Sequence, residues 1–333
     1  MRVVLPDELQ LLTRAMLNET ISSGEKFDHY RIDGVAARSA AATIFRAIDL
    51  RTDQQVAIKI PHPELKADPT FTERFRREQE IGEQLNHPGL LKLVPDQDRS
   101  RSYIVMEWFE GQPLSQVMAE EKITSERAVR IAIAICRTLE YIHNHGIVHR
   151  DLRPEHILVG AEDHIKLIDF GAAGQAAGRR ITFTSISQFT GGSEYISPEE
   201  LKGKRGDARS DIYAVGLIVY EMVTGRKAFP ASDPFDRALN HPAPPREIHD
   251  AISPQLQEVI YRALEREPRN RYANAHDFAR DLEHLEQVGV ADRAELRDWK
   301  KGRSLQPQKV VLYVSMALIP IVIFALLFYF ANR

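Results

Sequence analysis

Lys59 and Glu78 are the first residues in the chain whose types and setting imply chemistry. Lys59 lies in Val56-Ala57-Ile58-Lys59-Ile60. In an alternating strand, Val56, Ile58 and Ile60 face one way and Ala57 and Lys59 the other. Glu78 belongs to residues 70–85, which read as a helix that stops before Asn86-His87-Pro88. Phe71, Phe75, Glu78, Gly82 and Leu85 share one face of it, so a carboxylate interrupts an apolar stripe. Burying that carboxylate without a cation is costly, and Lys59 is a candidate partner. Two unrelated surface charges are the plain alternative.

These residues need elements to position them. The chain has 333 residues, room for about two compact units. Its net charge of −3 gives no case for a nucleic-acid partner. Its single cysteine, Cys136, can form no internal disulfide; it reads as a small core residue in a reducing compartment. Residues 1–26 predict a short helix over 7–18 and a polar link, with apolar stretches too short and interrupted for a signal peptide. Residues 30–108 are mostly strands with one helix, and 103–108 is another strand. Helices dominate from Leu114: one starts at Thr124 or Ser125, carries an apolar stripe to Ile142 and stops at Gly146. Two short strands, 156–160 and 164–169, interrupt the helices. Residues 211–224 are almost wholly apolar and predict a buried helix. A small sheet-rich lobe and a larger helical one would leave a cleft between them, a usual place for a ligand.

The C-terminal part differs. Residues 310–331 contain no charge, and about 20 apolar residues span a bilayer core. Pro320 is tolerated in such a helix. Arg297, Lys300, Lys301, Arg303 and Lys309 precede it and only Arg333 follows, which predicts a single-pass C-terminal anchor with the folded part in the cytoplasm.

Further motifs follow in order. His149-Arg150-Asp151-Leu152-Arg153-Pro154-Glu155-His156 is followed by Asp169-Phe170-Gly171, then Gly192-Ser193-Glu194-Tyr195-Ile196-Ser197-Pro198-Glu199, the apolar 210–225 segment, and Pro268-Arg269-Asn270-Arg271-Tyr272. With Val56-Ala57-Ile58-Lys59 upstream, the set resembles eukaryotic-type serine/threonine protein kinases, in particular the terse bacterial members. The resemblance covers residues 28–286. It implies an α+β, two-lobed protein kinase fold, with a small antiparallel sheet lobe over about 28–108 and a helical lobe over about 109–286. Residues 1–27 would be an N-terminal extension, 287–309 a juxtamembrane linker and 310–331 a transmembrane helix.

The resemblance also implies roles. Lys59, fixed by Glu78, would hold the α- and β-phosphates of ATP. Asp151 would accept the proton of the substrate hydroxyl, Asp169 would hold Mg2+, and Arg153 would stand beside the γ-phosphate where such kinases usually carry lysine. Ile44 and Ala57 would line the adenine site, and Met106, Glu107 and Phe109 would form the hinge. Arg150 would receive a phosphate on Thr182, Thr184, Ser185, Ser187 or Thr190. Glu199 would pair with Arg271, and Asp211 would start the buried helix. The partners implied are a protein substrate, the membrane, and a second copy for autophosphorylation.

Two departures stand out. Ala37, Ser39 and Ala42 occupy the places of the three loop glycines that let a backbone approach phosphates; the expectation is a weaker grip on ATP. His156 replaces the asparagine that would hold a second Mg2+, and imidazole suits Mn2+ better than Mg2+. Active kinase is the first reading, because Lys59, Glu78, Asp151 and Asp169 are all present. A pseudokinase that binds nucleotide or partners is the alternative, and a small-molecule phosphotransferase would have no use for the 192–199 segment.

Overall fold

A computed structural model of the chain describes residues 21–95, 98–175, 192–229 and 240–293. They form two lobes. The smaller is an antiparallel sheet in chain order: β1 (Lys26–Phe27), β2 (Tyr30–Arg38), β3 (Ala42–Asp49), β4 (Gln55–Pro61) and β5 (Ile104–Glu107). The alternation in β4 holds. Val56, Ile58 and Ile60 pack with Phe27, Tyr30, Phe45 and Tyr103 on one face, and Ala57 packs with Ile104, Met106 and Phe75 on the other.

Helix α1 (Pro69–Gln84) covers that second face. It starts where the Asp68 carboxylate accepts the N–H groups of Thr70 at 2.8 Å and Phe71 at 3.4 Å, with Pro69 in the first turn, where no donor is needed. Its one glycine permits close docking: a Cβ on Gly82 would lie 2.4 Å from Leu93 Cδ1. Glycine inside a helix costs about 0.5–1 kcal/mol relative to alanine, which this approach offsets.

The larger lobe is built around α3 (Ser125–Asn144) and α5 (Ala208–Thr224), with α2 (Leu114–Glu120), α4 (Pro198–Leu201), α6 (Pro254–Ala263) and α7 (Ala275–Glu283) around them. Thr124 caps α3 by accepting the Arg127 N–H at 3.2 Å, and Gly146 follows the helix at a left-handed φ of 73°. The α3 stripe is buried from Ala128 to Ile142, including Cys136, whose thiol is pushed up by that burial. Helix α5 begins at Asp207, ends on left-handed Gly225 and is buried almost throughout. Small sheets β6 (Gly111–Pro113), β8 (Ile157–Gly160), β9 (Ile165–Leu167) and β7 (Ile147–Val148), β10 (Gly174–Gln175) line the lobe junction. They carry the loops that hold the candidate site.

The chain stays attached to this lobe up to Arg293. Its guanidinium donates to both oxygens of Glu258 at 2.8 and 2.9 Å and to Glu265 at 2.6 Å, and lies 5.8 Å from the centre of the Tyr261 ring. Among the described residues no helix is long and apolar enough to cross a membrane. Residues 310–331, the expected helix over 7–18 and Thr182, Thr184, Ser185, Ser187 and Thr190 all lie outside the described residues.

Candidate active site

The site rests on a buried carboxylate. Asp211, in the first turn of α5, accepts the backbone N–H groups of His149 and Arg150, each at 2.9 Å, and lies 2.7 Å from His143 Nε2. Burial opposes its ionisation, but these hydrogen bonds outweigh it and hold its pKa below the usual value. One side chain thus fixes the backbone of the 149–156 loop. His149 links that loop to the next. Its Nε2 faces the Ile168 carbonyl at 3.2 Å, and its Nδ1 faces the Asp151 N–H at 3.4 Å. A carbonyl only accepts, so Nε2 carries the proton and Nδ1 accepts. Burial pushes the pKa of His149 down, in keeping with a neutral ring. The same ring packs 5.1 Å from Phe170.

Two residues are held in unusual backbone conformations. Arg150 has φ 63° and Asp169 φ 67°. Non-glycine residues in this region cost about 1–3 kcal/mol each and persist where surrounding contacts determine them. Nothing in the sequence marks either position as left-handed.

Lys59 and Glu78 meet as expected. Lys59 Nζ lies 2.6 and 2.7 Å from the two Glu78 oxygens, with both side chains largely buried. Burial works against the lysine's charge, but Asp169 and Glu78 outweigh it and raise its pKa. Asp169 responds in the opposite sense. Burial alone would raise its pKa, yet Lys59 and His156 hold it well below the usual carboxylate range. Asp151 is pushed up to about 6, chiefly by burial, with Asp169 adding to the shift and His156 opposing it. Two neighbouring carboxylates therefore differ in character: one a firm anion, the other a base of raised pKa.

His156 stands between them. Its Nδ1 donates to the Asp151 backbone carbonyl at 2.7 Å and lies 3.6 Å from Asp151 Oδ2, while Nε2 lies 3.7 Å from Asp169 Oδ2. Donation from Nδ1 aims Nε2 at Asp169, the way second-shell carbonyls orient metal-binding histidines. Asp169 offers a hard oxygen for a divalent cation and His156 a nitrogen beside it. Among the described residues no three His, Cys, Asp or Glu side chains are arranged to hold a metal by themselves. A cation here would fill its shell from phosphate and water.

The roof is apolar. Strand register pairs Ala37 with Ile44, Ile44 with Lys59 and Ala57 with Met106. Ile44 packs against Ala57 and Met106 above the cleft. The β2–β3 turn, where glycines were expected, is closed by Ser39. Its hydroxyl oxygen accepts the N–H groups of Ala41 at 3.2 Å and Ala42 at 3.1 Å, and its own N–H reaches the Ala42 carbonyl at 2.9 Å. Neither Ala37, Ser39 nor Ala42 has a positive φ. A serine turn closes this loop without left-handed backbone. At the hinge, Phe109 lies over Gly111 and Gly160, where a Cβ would come within 2.6 and 2.7 Å of its ring.

Other expected residues fall around this centre. Arg153 pairs with Glu155 at 2.6 Å. Glu199 takes two hydrogen bonds from Arg271, at 2.8 and 2.6 Å, and one from Ser210 at 2.7 Å, in a buried cluster. The pKa of Arg150 is lowered by burial first and then by Arg205 and Arg77, with Asp211 and Glu200 opposing, so Arg150 stands among charges of both signs. Sequence reasoning did not single out His149, Glu200 or Lys166. The main partners of His149 and Lys166 come from distant segments, which no spacing rule reports, whereas Glu200 stands three residues after Ser197, a capping-box spacing that could have found it.

The chain belongs to the protein kinase family: the protein kinase domain model matches residues 38–282. It is similar to the serine/threonine-protein kinase PknB of Mycobacterium tuberculosis, 33% identical over 265 residues that cover 77% of this chain and 42% of that protein. It is also similar to the probable serine/threonine-protein kinase PknB of Corynebacterium glutamicum, 34% identical over 281 residues, 80% of this chain and 44% of that one. The chain thus spans less than half the length of these curated relatives. Among solved structures, the kinase domain of Mycobacterium tuberculosis PknI superimposes with a TM-score of 0.63 at 24% identity, over 80% of this chain and all of that one; this likeness concerns the fold.

Proposed function

We propose that the chain is an active protein serine/threonine kinase, tethered to a membrane through residues 310–331, that transfers the γ-phosphate of ATP to protein hydroxyls. The observation that carries this reading is the convergence of the Lys59–Glu78 pair, Asp151 and Asp169 in one cleft. The names of the curated relatives support the choice of serine and threonine as acceptors, as does the cation Arg153 in the lysine place.

The residues act as follows. Ile44 and Ala57 cover adenine, and the backbone of Glu107 and Phe109, behind Met106, faces its edge. Lys59 holds the α- and β-phosphates. Asp169 holds the divalent cation, which when bound neutralises charge on the phosphates. Asp151 takes the proton of the attacking hydroxyl as its oxygen bonds to the γ-phosphorus and the bond to ADP breaks. The residues fit one cation on hard oxygen. At the second position the nitrogen of His156 favours Mn2+ over Mg2+. Arg150, with Arg205 and Arg77 near it, receives a phosphate from the 182–190 segment, placed there by a second copy of the chain.

The full chain incubated with labelled ATP and a generic basic protein tests the reading. Transfer to itself or to that protein is expected, and Asp151→Asn is expected to lower it by at least about 100-fold while nucleotide still binds. Equal transfer by the variant would overturn the assignment, and nucleotide binding without transfer by the wild type would favour a pseudokinase.

A further inference from the structure

The segment after α1 belongs physically to the larger lobe. The Asn86 N–H donates to the Tyr141 hydroxyl of α3 at 3.1 Å, and the His87 ring stacks 4.9 Å from the same tyrosine. A Cβ on Gly89 would lie 1.9 Å from Thr138 Oγ1, so only glycine lets the backbone seat there. Leu167 of β9 then fixes this segment from the other side: its N–H reaches the Gly89 carbonyl at 2.8 Å and its carbonyl accepts the Leu91 N–H at 3.2 Å. The docked segment, strand β9 and the hinge therefore meet in one place.

Lys166 stands at that meeting point. Its ammonium donates to Glu107 Oε1 at 2.6 Å and to the Leu90 carbonyl at 3.1 Å, and lies 5.8 Å from the centre of the Phe109 ring. The same Glu107 oxygen accepts the Lys92 N–H at 3.0 Å, and the Glu107 N–H reaches the Lys92 carbonyl at 2.9 Å. The lysine is largely buried and the carboxylate about one-third exposed, at 16% and 34% of side-chain surface. A charged donor in this setting makes a stronger bond than a neutral one. Three residues beyond Lys166 the chain reaches Asp169. One ammonium thus connects the backbone facing adenine to the strand that delivers the cation-binding carboxylate.

We propose that Lys166 is a positioning residue of the nucleotide site: through Glu107 and the Leu90 carbonyl it holds the hinge at the spacing from β9 at which adenine and phosphates are both engaged. This rests on the kinase reading of the cleft. Its physical content is pre-organisation. If loss of the clamp leaves the competent spacing populated only about one-tenth of the time, nucleotide affinity falls about ten-fold, while saturating nucleotide restores the competent form and with it kcat.

The test uses the full chain, a fluorescent ATP analogue for Kd, and initial rates for KM and kcat. Lys166→Met and Glu107→Gln are each expected to raise Kd and KM for ATP about ten-fold with kcat within about two-fold of wild type. The double variant is expected to be no worse than Lys166→Met alone, because Glu107→Gln only weakens an ammonium contact that Lys166→Met has already removed. Lys166→Arg, which keeps a charged donor, should recover most of the affinity. Thermal unfolding of each variant checks that it folds; if Lys166→Met does not, Glu107→Gln and Lys166→Arg carry the comparison. Unchanged or tighter Kd in folded variants, additive losses in the double variant, or a fall confined to kcat would overturn the proposal. Failure of the wild type to bind the analogue at all would instead overturn the kinase reading.

Discussion

His156 is the residue at which this site departs furthest from an oxygen-only cation site. Its side chain does not turn away: Nδ1 is spent on the Asp151 carbonyl, and Nε2 faces Asp169. A neutral imidazole nitrogen is a better ligand for Mn2+ than for Mg2+, and Mn2+ sits low enough in the affinity series to exchange. Initial rates at saturating ATP are therefore expected to be higher with Mn2+ than with Mg2+. Asparagine would return an amide oxygen, the ligand type Mg2+ prefers, so His156→Asn is expected to raise the Mg2+ rate severalfold. An unchanged or lower Mg2+ rate in the variant would remove His156 from the cation site. At this scale the sequence was legible for Lys59 and Glu78, because a carboxylate on an apolar stripe demands a cation. It was silent on the left-handed φ of Arg150 and Asp169, since arginine does not favour that backbone and aspartate, though enriched there, far more often lies elsewhere.

Helix α4 carries a different instruction. Ser197 and Glu200 form a capping box in which Glu200 Oε2 takes the Ser197 N–H at 3.2 Å and hydroxyl at 2.7 Å. The other oxygen, Oε1, is buried and meets no donor among the described residues. Burial pushes Glu200 from its ordinary 4.5 up to about 7, against the Ser197 hydrogen bonds and with Asp211 and Glu199 adding to the shift. A carboxyl whose pKa is raised on folding favours the native state when protonated. Its contribution is fully present below the unfolded pKa and is lost as pH rises through about 7. The loss amounts to about 3 kcal/mol. Glu200→Gln keeps the acceptor and removes the titration. Thermal unfolding should show the variant gaining on wild type by several degrees between pH 5 and pH 8; a gap that does not change with pH would count against a buried, protonated Glu200. For the segment between β10 and α4, the proposed phosphate switch at Arg150 has a direct test. Mass spectrometry of the active protein is expected to find phosphate within residues 182–190, each phosphate bringing about −1.5 to −2 charge, and phosphatase treatment to lower the rate. A fully active protein without phosphate there would refute this switch.

As a whole molecule the chain is a two-lobed body whose last described residue, Arg293, is held by Glu258 of α6 and by Glu265 just beyond that helix. The described chain therefore ends against the larger lobe, beside α6. The full chain is expected to partition with membranes, and a chain ending near Arg303 to remain in the supernatant after ultracentrifugation. A truncated form that still pellets with membranes would place the anchor elsewhere.

The sequence by itself determined the order of elements, the two-lobed class and the four charged residues of the cleft. The first two follow largely from local rules, such as alternation in β4, an interrupted stripe on α1 and a cap at Thr124, while Asp151 and Asp169 came from motifs that resemble those of protein kinases. It did not report how the β2–β3 turn closes, because residue type shows the absence of glycine but not that the Ser39 hydroxyl closes the turn without positive φ. Only the tertiary structure decided where His156 points, which groups tune Asp151 and Asp169 apart, and that Lys166 reaches back to Glu107. Each of these depends on distances between segments far apart in the chain, and electrostatic shifts and hydrogen bonds are set by distance and burial.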